Sequence, residues 1–143
     1  MHDIFIDADI ILDVLAERTP YYDHAAKLLT LAIENKVNAH TSPIIIANIH
    51  YILSKLHSKN KSIQSIQKIK TFINILPVDG KIIDLALTSK FNDFEDAIQY
   101  YTAKINDVSF LITRNKKDYK VADISICTAE EYLNIWLSFQ NNR

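Results

Sequence analysis

The chain has 143 residues, the length of one ordinary domain, and its 48% hydrophobic and 23% charged content is that of a globular protein. Sixteen basic and 17 acidic side chains leave a net charge of −1, which excludes a globally cationic nucleic-acid binder but leaves room for a local basic patch. A single cysteine, Cys127, excludes an internal disulfide framework, and a single glycine, Gly80, excludes both the P-loop and the GxGxxG dinucleotide fingerprint.

The longest unbroken apolar run, 44–47, is far too short to cross a bilayer, and the opening Met1-His2-Asp3 lacks the basic start of a signal peptide. The expectation is a cytoplasmic protein in a reducing compartment, without a membrane segment. No repeat, low-complexity tract or linker interrupts the chain, so residues 1–143 are expected to form a single domain.

In chain order, 4–6 is a short buried strand followed by Asp7 and Asp9, and Ile10, Ile11, Val14 and Leu15 then have helical spacing. Pro20 interrupts the pattern. A helix follows over about 21–35, and a second short strand over 37–40. Ser42-Pro43 is a helix start, with Ser as N-cap and Pro at the first helical position, opening an Ile-rich helix over about 43–57. Lys59-Asn60-Lys61 is a polar break before an amphipathic helix over 62–73. Ile75, Leu76 and Val78 form a third strand, and 81–89 is helical. Residues 92–105 form a capped helix in which Asp93 and Asp96 have capping-box spacing. Strands over 109–112 and 124–127 follow, and Thr128 with Glu130 and Glu131 opens a C-terminal helix. Short apolar strands alternating with helices predict an α/β fold, a three-layer α/β/α arrangement around a short, mostly parallel sheet.

In such sheets, ligands bind beyond the carboxyl ends of the strands. The polar residues there are Asp7 and Asp9 after the first strand, and Thr113, Arg114 and Asn115 after the fourth. Asp96 lies in the first turn of the helix that feeds the fourth strand. Were Asp7 and Asp96 to converge, their mutual repulsion would be relieved by a divalent cation, and Mg²⁺ or Mn²⁺ prefers such oxygen ligands. That combination suits phosphate-ester chemistry. Each residue also has a plainer reading. Asp7 and Asp93 can cap helices, Asp96 can sit favourably in a first turn, and Asp9 and Asn115 can stabilise turns. Asn48, in an Ile-rich helix, needs a polar partner in either case. Arg114, Lys116, Lys117 and Lys120 form a basic cluster that can hold RNA phosphates or simply face water.

The segments FIDADIILDVL (5–15), SPIIIANIHYIL (42–53), DFEDAIQYYTA (93–103) and FLITRNKKDY (110–119) have the order and spacing of a PIN-domain protein. The chain most resembles the VapC-like toxins of toxin–antitoxin systems. The resemblance covers essentially the whole chain and implies a PIN-like α/β/α fold and a Mg²⁺- or Mn²⁺-dependent endoribonuclease. It also implies an RNA substrate, a homodimer, and a cognate antitoxin protein that blocks the site. The family's four polar positions fall on Asp7, Asn48, Asp96 and Asn115, with Asp7 and Asp96 as the metal ligands. Asp9, Asp93, Thr113 and Asp118 are candidates for the surrounding shell, and Arg114, Lys116 and Lys117 for RNA contact. Asn48 departs from the usual Glu and removes one formal negative charge, while Asp9 supplies one nearby. Two rival readings remain at this stage. Asp7-Ala8-Asp9 matches the DxD of haloacid-dehalogenase-like phosphatases, and a PIN module weakened at Asn48 would bind RNA or protein without cutting.

Overall fold

The computed structural model describes residues 1–120 and 122–142. Among them, five short strands form one sheet: β1 (Asp3–Ile6), β2 (Asn38–Thr41), β3 (Ile73–Ile75), β4 (Phe110–Ile112) and β5 (Ser125–Cys127). Their order is β3-β2-β1-β4-β5, and every pairing is parallel. In β1, Ile4, Phe5 and Ile6 are all fully buried. Successive strand side chains point to opposite faces, so burial at consecutive positions means that both faces are covered. The cover comes from α1 (Ala8–Leu15), α2 (Tyr22–Ile33), α3 (Pro43–Leu56), α4 (Lys59–Ile69), α5 (Gly80–Leu87), α6 (Phe94–Ile105) and α7 (Ala129–Asn141). The architecture is the expected three-layer α/β/α.

α1 packs on α2 and α3, α2 on α7, α3 on α4, and α5 on α6. The main core runs from β1 through Leu28, Ile45, Ile49, Leu53, Leu111 and Ile112, and a smaller one of Ile82, Ala86, Ala97 and Ile98 joins α5 to α6. Local signals behave as the sequence suggests at several ends. Ser42 Oγ accepts the Ile45 N–H at 3.2 Å, and Pro43 opens α3. Thr128 and Glu131 close a reciprocal capping box on α7.

Some boundaries move. Lys59-Asn60-Lys61 is not a break but the first turn of α4, capped by Ser58, whose Oγ accepts the Lys61 N–H at 3.1 Å. α4 ends at Ile69, and Ile73, expected on that helix, opens β3. The third strand therefore spans 73–75 rather than 75–78. Isoleucines at 63, 66, 69, 73 and 75 continue the helical spacing as far as Ile73 and alternate from there, and pairing with β2 decides between the two periods: Ile73 lies opposite Ala39 and Ile75 opposite Thr41. A 3₁₀ turn over Lys116–Tyr119, not expected from the sequence, follows β4.

β2 and β3 extend the sheet to one side of β1, and β4 and β5 to the other. The chain order reverses at the β1/β4 junction, where a parallel sheet opens a crevice at its carboxyl end. Two hydrogen bonds carry the pairing past the strand ends into that crevice. Asp7 N–H donates to the Ile112 carbonyl at 3.0 Å, and Thr113 N–H to the Cys127 carbonyl at 2.9 Å.

Candidate active site

Asp7 is the N-cap of α1, and one carboxylate oxygen accepts the Ala8 N–H at 2.8 Å. The other faces the crevice. It accepts from the Thr113 hydroxyl at 2.9 Å and from the Tyr119 hydroxyl at 3.2 Å. The Tyr119 hydroxyl also lies 3.3 Å from Asp96 Oδ1. Asp96 sits in the first turn of α6, whose N-cap is Asp93, with Oδ1 accepting the Asp96 N–H at 2.9 Å. The capping box suggested by that spacing is only half made, because the Asp96 carboxylate turns to Tyr119. Asp7 thus caps α1 with one oxygen and faces the crevice with the other, while Asp93 is held as a cap.

Asp9 enters from the first turn of α1. Its Oδ2 accepts the Arg114 N–H at 3.1 Å and lies 3.4 Å from both the Thr113 hydroxyl and Asn115 Nδ2. Its Oδ1 is buried without a hydrogen-bond partner among the described residues. The loop after β4 is tightened by the Asn115 N–H, which donates to Thr113 Oγ1 at 3.1 Å. Thr113 is fully buried.

These carboxylates are electrostatically unfavourable neighbours. Burial raises the Asp7 pKa, opposed by its hydrogen bonds from Ala8, Thr113 and Tyr119 and reinforced by the charge of Asp118. Asp9 is pushed up to about 6 by burial and then by the Asp7 charge. Asp96 is pushed up to about 7 by burial, then by Asp93, Asp7 and Asp118. Like charges held in a partly dry crevice disfavour ionisation, and a bound cation reverses that penalty. Among the described residues, no three His, Cys, Asp or Glu side chains cluster as a ready-made metal cage. The donors that meet are the carboxylate oxygens of Asp7 and Asp96 at Tyr119, with the unpartnered Oδ1 on nearby Asp9, and oxygen donors suit Mg²⁺ or Mn²⁺ rather than zinc.

The remaining sequence candidates divide. Asp118 is exposed on the 3₁₀ turn and acts on Asp7 and Asp96 through its charge. Asn48, half-buried on α3, does not hydrogen-bond to the Asp7–Asp96 group; its Nδ2 lies 3.5 Å from Glu95 Oε2. Glu95, exposed on α6, is the residue of that helix that faces Asn48. Arg114 is not a free cation. Its Nε and Nη2 donate to Asp13 at 2.9 and 3.0 Å, Asp13 is completely buried, and the guanidinium stacks 4.0 Å from the Tyr21 ring centroid. Lys116 pairs with Glu131 at 3.0 Å. Lys117 and Lys120 are exposed. Beside the loop, a hollow of about 480 Å³ is lined by Tyr21, His24, Arg114, Asn115 and Glu130.

Tyr119 and the Asp13–Arg114 pair are what sequence reasoning missed. Tyr119 belongs to the FLITRNKKDY segment but carries no spacing signal of its own. Asp13 stands six residues after Asp7 in an apolar helix, and an isolated acid there is a cue to look for a buried cation.

Comparison with known proteins places this geometry in a family. A PIN domain model matches residues 3–117. Ribonuclease VapC1 of Aquifex aeolicus (strain VF5) is 27% identical over 138 residues, which is 93% of this chain and 94% of that protein. Among solved structures, VapBC-1 from nontypeable Haemophilus influenzae aligns with a TM-score of 0.66 at 16% identity, covering 90% of this chain and 98% of that one. A toxin-antitoxin complex from Klebsiella pneumoniae aligns with a TM-score of 0.65 at 21% identity, covering 88% and 97%. With most of its length matched by the family model and its carboxylates gathered where the parallel sheet reverses, the chain belongs to the PIN domain family.

Proposed function

We propose that this protein is an endoribonuclease that depends on Mg²⁺ or Mn²⁺ and acts as the toxin of a toxin–antitoxin pair. The observation that carries the reading is the meeting of Asp7 and Asp96 at the Tyr119 hydroxyl beside the β1/β4 switch point, with Asp9 next to Asp7 at Thr113 and charges that repel in the absence of a cation. Support for the RNA substrate and the antitoxin comes from the ribonuclease and toxin–antitoxin relatives described above. Membership of the PIN family sets aside the phosphatase reading of Asp7 and Asp9. No helix among the described residues is long and apolar enough to cross a membrane, and a cytoplasmic setting is part of the proposal.

In this reading Asp7 and Asp96 hold the cation, and Asp9 lends it negative charge from the side. When bound, the metal supplies a Lewis acid that activates water and offsets charge on phosphoryl oxygens. Thr113 fixes the Asp7 carboxylate by donating to its crevice-facing oxygen. Asn115 and the Arg114 N–H hold Asp9 in place. The Asp13–Arg114 pair anchors the loop that bears these groups. Lys117 and Lys120 face outward from the next turn, where they offer RNA phosphates positive charge without reading sequence. A homodimer is part of the same proposal.

A structured RNA mixture incubated with the wild type and with Asp96→Asn tests it. The expected result is cleavage with Mg²⁺ or Mn²⁺ by the wild type and none above background by the variant, with unchanged circular dichroism. Equal cleavage by the two proteins would remove Asp96 from the site. RNA binding by the folded wild type without cleavage in either metal would favour a binding module in which Asn48 has weakened the chemistry.

A further inference from the structure

We propose that Tyr119 is a positioning residue of this site, its hydroxyl tying Asp7 at the end of β1 to Asp96 on α6 and so setting the spacing of the two carboxylates. The inference rests on the nuclease reading above and concerns how the cation pair is held. Asp7 and Asp96 stand on different elements, 89 positions apart in sequence. α6 touches β4 and the 3₁₀ turn, so nothing in the strand pairing itself aligns Asp96 with Asp7. The Tyr119 hydroxyl contacts both, at 3.2 and 3.3 Å.

The ring that carries this hydroxyl is pinned. Tyr119 is 2% exposed and meets Phe91 edge-on, with centroids 6.0 Å apart. Its turn is closed on both sides, by the Asp118 N–H to the Asn115 carbonyl and by the Ala122 N–H to the Tyr119 carbonyl, each at 3.0 Å. For packing alone, phenylalanine would fill the same space without burying a polar group, which is unfavourable unless it is hydrogen-bonded. The two carboxylates are the hydroxyl's hydrogen-bond partners among the described residues, so its presence is explained at the site rather than in the core. A hydroxyl has one proton and donates to one carboxylate at a time. It therefore steers the pair without neutralising it. With no third acid among the described residues close enough to complete a cage, alignment of these two carboxylates falls to their hydrogen-bonding neighbours, which commonly govern metal affinity.

The test uses the full chain and Mn²⁺ as the probe. Isothermal titration calorimetry compares wild type, Tyr119→Phe and Tyr119→Leu, with kcat and KM for RNA cleavage measured in parallel. The expected result is a loss of roughly 10–100-fold in Mn²⁺ affinity for Tyr119→Phe, the usual effect of removing a group that orients a metal ligand. Its kcat should fall more than its KM changes, and its circular dichroism should match the wild type. Wild-type Mn²⁺ affinity and kcat in Tyr119→Phe, with loss only in Tyr119→Leu, would show that the ring merely packs and would overturn the proposal alone. A folded wild type that takes up no Mn²⁺ would overturn the metal reading and this inference with it.

Discussion

At the scale of single residues, the crevice carboxylates make a pH-dependent contribution to stability whose sign is fixed. Asp9 and Asp96 are raised from 3.8 to about 6 and about 7. Between about pH 4 and those values, the folded protein binds more protons than the unfolded chain, so stability falls as pH rises through the window. Asp123 and Glu131 are lowered, by their bonds to Lys104 and to the Thr128 backbone and Lys116. Their contributions are lost only on acidification below about pH 4; His2, lowered by burial and the N-terminal charge, opposes the trend below its usual 6.5, against the four raised carboxylates Asp7, Asp9, Asp13 and Asp96. The metal-free protein should therefore melt several degrees lower at pH 8 than at pH 5. Saturating Mn²⁺ should restore most of the difference, because a ligand that binds only the folded state stabilises it. Differential scanning fluorimetry in EDTA and in Mn²⁺ checks this, and a melting temperature that rises with pH in EDTA would contradict it.

At the scale of elements, the loop after β4 is held by a buried ion pair. Asp13 is wholly buried, and the Arg114 side chain is 28% exposed. Removing one partner leaves an uncompensated charge, so Arg114→Ala should destabilise the fold by roughly 3 kcal/mol, the low end for such pairs given the exposure of the guanidinium. The double variant Asp13→Leu, Arg114→Met should recover much of that loss. Urea denaturation measures both. If Arg114→Ala instead kept its stability and lost RNA affinity, the arginine would belong to the substrate surface. This pair also shows where sequence reasoning stops. Arg114 next to Lys116 and Lys117 looks like part of a basic patch, and nothing local reveals that its fork closes on an acid 101 positions earlier. These helix caps were legible, because Ser42-Pro43 and Thr128 with Glu131 act within a few residues of themselves. The boundary between α4 and β3 was not, since the choice for Ile73 is made by Ala39 on a neighbouring strand. Asp7 and Asp96 could be picked out by their places after a strand and in a first turn, whereas Tyr119 acquires its significance only when the fold brings both to its hydroxyl.

For the whole molecule, a net charge of −1 means that RNA affinity has to come from a local arrangement rather than from the overall field. Several basic groups near the site are already engaged: Arg114 with Asp13, and Lys116 with Glu131. Lys117 should thus contribute more than its neighbours to phosphate contact. Lys117→Ala is expected to weaken binding of a non-cleavable RNA similarly across sequences and to lower the slope of log K against log salt by about 1. An unchanged slope in fluorescence-anisotropy titrations would place the RNA path elsewhere. The proposed function rests on the reversal of strand order between β1 and β4, which opens the crevice where Asp7 is proposed to hold the cation. The most direct test is cleavage of a mixed structured RNA by wild type and Asp7→Asn, side by side in Mg²⁺, Mn²⁺ and EDTA. The expected result is cleavage by the wild type in either metal, none in EDTA, and none above background by a folded Asp7→Asn. Cleavage by Asp7→Asn at the wild-type rate, or by the wild type in EDTA, would contradict it.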